Sequence, residues 1–224
     1  MITLVFDTCF NKTYVVLKKD DEILSNLVIE STDSNYHSVY LIPKIRDVLK
    51  EHNLLVSDVD AIGVNVGPGS FTGIRAGITI ARVLAQQAET KLVPVHSLNI
   101  LSKLNVTDKK TIVVTDARKN KVYFAMYDGQ EEIVSPCLIE KDEIISKITD
   151  DVLVISDLSI SNYLRENEII SLNYEAVDKN LGLYLSELVS YKLTRSQDDF
   201  HWAKVKPLYI QQPSITKPKE LKDV

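Results

Sequence analysis

The hydrophobic positions change their period along the chain in a recurring order. Residues 2–7 form an apolar, β-branched run that ends in Asp7, and two further strand-like runs at 13–19 and 22–30 join through Asp20-Asp21, so a strand and a hairpin are predicted. A helical period then predicts a helix over 37–52, a buried strand at 61–66, a second helix over 72–88 and a short strand at Leu92–Val95. From residue 111 the order starts again. Thr111 to Asp116 reads as a strand, followed by strands at 121–127 and 131–138 that turn through Asp128-Gly129, a helix over 140–149 and a strand at 152–156. A last helix is predicted over 179–193.

The two halves also agree residue by residue at an offset of 109: Asp7 with Asp116, Asn11 with Asn120, Lys12 with Lys121 and Tyr14 with Tyr123. The apolar pattern is interrupted at Asn105–Lys110. Together these features predict a duplicated α/β architecture of the actin-like, ribonuclease-H-like (ASKHA) type, with two βββαβα lobes at 1–106 and 107–210 and a tail at 211–224. In that architecture a carboxylate closing the first strand of each lobe faces the cleft between them, where it can hold a hydrated cation. Asp7 and Asp116 are therefore candidate cleft residues. The plainer reading of each is a turn or capping residue at a strand end.

Composition points to one segment. Only seven of the 224 residues are glycine, and five of those lie between Gly63 and Gly77. There the strand at 61–66 runs into Gly67-Pro68-Gly69-Ser70-Phe71-Thr72-Gly73-Ile74-Arg75 and then a helix. Such a turn presents N–H groups and a helix dipole to an anion, which makes Gly67, Gly69, Ser70, Thr72 and Gly73 candidate cleft residues, with Arg118 opposite them. It is not a Walker A loop, because no Gly-Lys-Ser/Thr follows, and its spacing is not that of a dinucleotide fingerprint. No Gly-x-Ser-x-Gly elbow is present.

On the helix that follows, Ile74, Ile78, Ile80, Ala81, Val83, Leu84, Ala85 and Ala88 cover about 220° of the circumference at ~100° per residue. An ordinary surface helix needs an apolar stripe of about 100°. The helix at 37–52 is similar in milder form, with Pro43 at a first-turn or kink position. Such helices are either buried deeply within the chain or covered by a second protein. The second alternative makes Val39, Ile42, Pro43, Arg46, Leu49, Ile74, Ile78, Ala81, Arg82 and Ala85 candidate interface residues. On that reading Glu in place of Ala81 or Ala85 is predicted to leave the chain folded but unable to associate.

The charge balance narrows the chemistry. A formal net charge of −5 argues against a protein that holds nucleic acid through a broad basic surface. The two cysteines, Cys9 and Cys137, lie far apart in apolar stretches, as expected of buried thiols in a reducing compartment. No apolar run approaches the ~18 residues of a membrane helix, so a cytoplasmic protein with no membrane contact is expected.

Asp7-Thr8, His37-Ser38 with Leu41 and Pro43, the Gly67–Arg75 segment with Gly77, Asp116-Ala117-Arg118 with Val122-Tyr123, and Pro207-Leu208-Tyr209-Ile210 together resemble the TsaB (YeaZ) family over nearly the whole chain. The resemblance implies a role in forming N6-threonylcarbamoyladenosine next to the anticodon of tRNA. It implies a non-catalytic subunit that binds the catalytic TsaD subunit, works with the ATPase TsaE, meets tRNA through the complex and pairs with itself when alone. It places the contact on the first two helices. It also implies no catalytic residue, no metal and no tightly bound cofactor, with ATP or ADP held only at a subunit interface. His37 stands without the second histidine of a TsaD-type pair, Leu41 occupying that place, and Asp116-Ala117-Arg118-Lys119 replaces a second phosphate loop. The rival readings are a stand-alone small-molecule kinase of the same fold and, further off, a glycoprotease-like peptidase.

Overall fold

A computed structural model describes residues 1–30 and 36–210, with side chains described outside 36–39. The tail at 211–224 and the side chains of His37 and Val39 lie outside the described residues. The elements run in the order β1 (Ile2–Asp7), β2 (Lys12–Lys19), β3 (Glu22–Glu30), α1 (Tyr36–Glu51), β4 (Ala61–Asn65), α2 (Phe71–Gln87), β5 (Lys91–Val95) and α3 (Ser97–Ser102). The second half adds β6 (Lys110–Arg118), β7 (Lys121–Asp128), β8 (Glu131–Glu140), β9 (Val152–Ser156), α4 (Leu158–Glu166), β10 (Leu172–Asn173) and α5 (Leu181–Arg195).

The two five-stranded sheets have the same topology. The first is ordered β3-β2-β1-β4-β5 and the second β8-β7-β6-β9-β10, each with an antiparallel meander followed by parallel strands. Strand alternation sorts the side chains into layers, since successive residues face opposite sides of a sheet. Leu4, Phe6, Val15 and Leu17 join α1 and α2 in an outer core, whereas Val5, Tyr14 and Val16 face a middle core. Val113, Ala125, Tyr127 and Ile155 of the second sheet face the same middle core, which α3 and α5 fill. Ile112, Val114, Val122 and Phe124 turn outward to α4 and a 3-10 turn at Lys141–Lys147. The helix predicted over 140–149 is that turn, of which only Ile144 is buried, too short an apolar stripe to carry a full helix. The regular helix follows at α4, where the Asp157 carboxylate caps the Ile160 N–H at 2.9 Å.

The apolar arc of α2 resolves mostly inward. Ile74, Ile78, Ala81 and Ala85 lie against the first sheet, and Leu49 of α1 is buried in the same core. These five candidate interface residues therefore belong to the chain's own interior, and the expectation of a folded Ala81→Glu or Ala85→Glu chain is corrected. Both alanines are fully buried, so a Glu there has no route to water. What remains outward is smaller: Ile42 at 55% exposure, Val83 at 59%, the exposed Pro43 and Arg46, and the half-buried Arg82.

Ala81→Glu is expected to lower unfolding free energy by about 3–5 kcal/mol, through an unpaired buried charge and overpacking. Urea denaturation of the purified variant checks this, and a wild-type midpoint would contradict the packing assigned to α2.

Candidate functional site

Asp7 ends β1, and the chain turns immediately. One carboxylate oxygen accepts the Cys9 N–H at 2.6 Å, and the other accepts the Asn65 side-chain amide at 2.7 Å. Asn65, at the end of β4, uses its own amide oxygen to accept the Gly67 N–H and the Ser97 hydroxyl, each at 2.9 Å. The whole group is buried. Burial pushes the Asp7 carboxyl up to about 6, against the opposing effect of its hydrogen bonds from Asn65 and Cys9. The Cys9 thiol, which donates to the Asn65 carbonyl at 3.3 Å, is pushed well up by burial and by the neighbouring carboxylate. It is correspondingly poor as a thiolate.

The glycine-rich turn leans on this network. Thr8 donates its hydroxyl to the Gly73 carbonyl at 2.7 Å, and a Cβ at Gly73 would lie 1.8 Å from the Thr8 carbonyl oxygen. Gly67 takes a φ of +96°. Ser70 donates its N–H to the Cys9 carbonyl at 3.0 Å and caps α2 by accepting the Gly73 N–H at 3.2 Å. The Gly67, Ser70, Gly73 and Ile74 N–H groups are thus already engaged within the protein.

Between the lobes lies a cleft of about 760 Å3, lined by Pro68 to Thr72 and Ile74 on one side and by Asp116 to Lys119 with Tyr123 on the other. Leu208, Tyr209 and Ile210 close its third side. Of the predicted cleft residues, Gly69, Ser70, Thr72, Asp116 and Arg118 meet here. Asp7, Gly67 and Gly73 do not line it, a correction whose cause is the inward network just described. Asp116 accepts the Arg118 N–H at 3.0 Å as Asp7 accepts that of Cys9, so the duplicated aspartates make the same turn, one exposed and one sealed. Arg118, Lys119 and Asn120 then take φ of 65°, 52° and 59° to close the hairpin.

Several site residues escaped the sequence pattern. Asp157 accepts the Asp116 N–H at 2.6 Å, and Glu175 bridges the Asn11 amide and the Leu158 N–H, both at 3.0 Å. Arg75 donates to the Tyr209 hydroxyl at 2.9 Å and sits 4.0 Å above the Phe71 ring, pinning the C-terminal segment to the cleft rim. Arg75, Phe71, Tyr209 and Tyr123 had a signal in the sequence as motif residues, whereas Asp157 and Glu175 had none.

A second concavity, an apolar groove of about 540 Å3, opens on the outer layer. It is lined by Ile42, Ile45, Arg46, Leu49 and Lys50 of α1, by Leu84 of α2, and by Asn53 to Val56. Leu55, at 69% exposure, stands at its edge.

Two lobes of identical strand order, with the first strand of each ending in an aspartate turn and an open cleft between them, define an actin-like-fold protein. The family profile described as TsaD: tRNA N6-adenosine threonylcarbamoyltransferase matches residues 22–185. The chain belongs to that family, on its TsaB/YeaZ side. Over 136 residues it is 30% identical to the Escherichia coli tRNA threonylcarbamoyladenosine biosynthesis protein TsaB, covering 58% of this chain and 57% of that one. Over 124 residues it is 33% identical to an uncharacterised Mycobacterium tuberculosis protein, covering 55% and 57% respectively. The chain thus aligns with little more than half the length of these curated relatives. YeaZ from Pseudomonas aeruginosa superposes with a TM-score of 0.74 at 22% identity, covering 93% of this chain and all of that one, which establishes the shared fold. Among the described residues no helix is long and apolar enough to cross a membrane, and no cluster of three metal-ligating side chains occurs.

The folded protein holds the Asp7 proton more tightly than the unfolded chain does, so this group's contribution to stability is present below pH 4 and is lost as the pH rises to about 6. The loss amounts to about 3 kcal/mol. Asp7→Asn removes the titration. The variant is expected to gain on wild type by about 2 kcal/mol of this between pH 4 and pH 6.5 in urea unfolding; parallel pH profiles would contradict the sealed carboxylate.

Proposed function

We propose that the chain is a non-catalytic subunit in threonylcarbamoyladenosine formation on tRNA. Its task is to bind a TsaD-type catalytic subunit, or a second copy of itself when alone, through the outer face of α1 and α2. The observation that carries this reading is the exposed apolar groove on that face, lined by Ile42 and Leu55, together with the exposed Val83 on α2. A contiguous apolar surface rimmed by Arg46 and Lys50 is the form of a protein interface, with apolar anchors inside and charge at the edge. Residues 1–106 supply this face, and 107–210 form the lobe behind it. A TsaE-type ATPase and tRNA are met through the assembled complex in the cytoplasm.

The hydrogen bonds around Asp7 support the non-catalytic part. Both of its oxygens and most of the turn's N–H groups have partners inside the protein, so this set does not fit a magnesium-bound nucleotide without breaking the network. ATP or ADP is accordingly expected only where subunits meet. The cleft of about 760 Å3 keeps a small-molecule kinase as the second reading, and ATP turnover by the isolated chain would favour it.

Ile42→Glu and Val83→Glu change exposed positions, so stability should stay within about 0.5 kcal/mol of wild type. Association with itself and with a TsaD-type subunit should fall by about tenfold or more, read by light scattering and pull-down. Unchanged association in both variants would overturn the interface. Asp7→Asn is expected to leave tRNA modification by the reconstituted complex nearly intact, and complete loss with the complex still assembled would contradict the non-catalytic role.

A further inference from the structure

After α5 the chain returns along β5 as a strap, Asp198 to Leu208, held by the Leu92 N–H to the Phe200 carbonyl at 2.8 Å and the Leu208 N–H to the Val66 carbonyl at 2.9 Å. Behind it lies a cavity of about 460 Å3, separate from the groove and sharing only Leu208 with the cleft. Its walls mix apolar side chains, among them Pro94, Phe200 and Leu208, with basic ones and with the carboxylates of Asp198 and Asp199.

Five basic side chains line this cavity, and two of them, Lys192 and His96, are half-buried. The half-buried Lys192 ammonium, on the last turn of α5, donates one hydrogen bond, to the Pro94 carbonyl at 2.8 Å, which leaves two of its three donors unused. His96 is half-buried, and among the described residues its ring makes no hydrogen bond. Burial, then the Lys192 charge, holds the imidazole below its ordinary value, and burial does the same to the ammonium. Glu132 and Asp198 oppose these shifts from nearby, but neither forms an ion pair with Lys192 among the described residues. Asp199 is occupied by Lys204 at 2.8 Å and by the His201 N–H at 3.2 Å. Lys206 is exposed, and His201 is turned onto Trp202.

We infer that this cavity binds a small organic anion, a carboxylate or phosphate ester, with its anionic head between Lys192 and His96 and its apolar body against Pro94, Phe200 and Leu208. A partly dehydrated ammonium with spare donors beside an unbonded imidazole is costly, and one anion satisfies both. Apolar surface for the body of a ligand beside converging charged groups for its head suits a small-molecule site, and the volume falls in the usual range. Binding favours imidazolium at His96 and holds the strap against β5. It is independent of the groove on α1 and α2.

The test is an NMR titration of the His96 ring in the full chain, assigned by its loss in His96→Asn, with millimolar benzoate, phenyl phosphate or inorganic phosphate. An organic probe is expected to raise the His96 midpoint by about one unit, and the rise should vanish in Lys192→Met and in Lys192→Gln. Circular dichroism checks that at least one of these variants remains folded. No shift with either organic probe, the same shift in a folded Lys192 variant, or a response to inorganic phosphate alone would overturn the site.

Discussion

A carboxylate sealed from water must be held by donors, and at Asp7 that requirement joins four parts of the first lobe. The end of β1, the end of β4, the turn into α2 and the start of α3 meet through Asn65, which donates to Asp7 and accepts from Gly67 and Ser97. Burial opposes the ionised carboxyl, and the hydrogen bonds recover part of that cost. Once these ends are tied, Gly73 can close onto Thr8, where no larger residue fits. That contact fixes the direction of α2. The cleft wall and the outer groove both follow from where α2 starts.

The duplicated lobes differ in what their matching residues became. Asp7 and Asp116 make the same hydrogen bond to the N–H two residues on, yet only Asp116 reaches the cleft. Among the described residues the second lobe has no counterpart of Asn65 on its aspartate; there the contact runs the other way, from the Asp116 N–H to Asp157. The outer layers differ as well. The first sheet carries two long helices, and the second only α4 and a 3-10 turn. The exposed apolar groove is therefore built on the first lobe, while the shared middle layer of α3 and α5 holds the two sheets together.

The turn from Asp198 onward binds these features to the C-terminal segment. Leu208 lines both the cleft and the cavity behind the strap, and Arg75, Phe71 and Tyr209 pack beside it at the rim. Pro207-Leu208-Tyr209-Ile210 entered the sequence reading only as a matching motif. Its place in the walls came from backbone pairing with Val66, a contact between residues far apart in the chain that leaves no periodic trace.

The period of the apolar positions was enough to determine the strands, the long helices and the duplication, because alternation and the helical repeat are local consequences of backbone geometry. It also found the glycine cluster, whose need for close approach is visible in composition. It left open which side of a wide apolar helix meets its own sheet and which meets another surface. Ala81 and Ala85 looked like interface residues and are interior, whereas Ile42 and Val83 are outside. Whether Asp7 faced a ligand or an asparagine was equally undetermined, since Asn65 is 58 residues away in the chain. Burial and partnership are decided by packing between distant segments, and that is what the tertiary structure alone supplied.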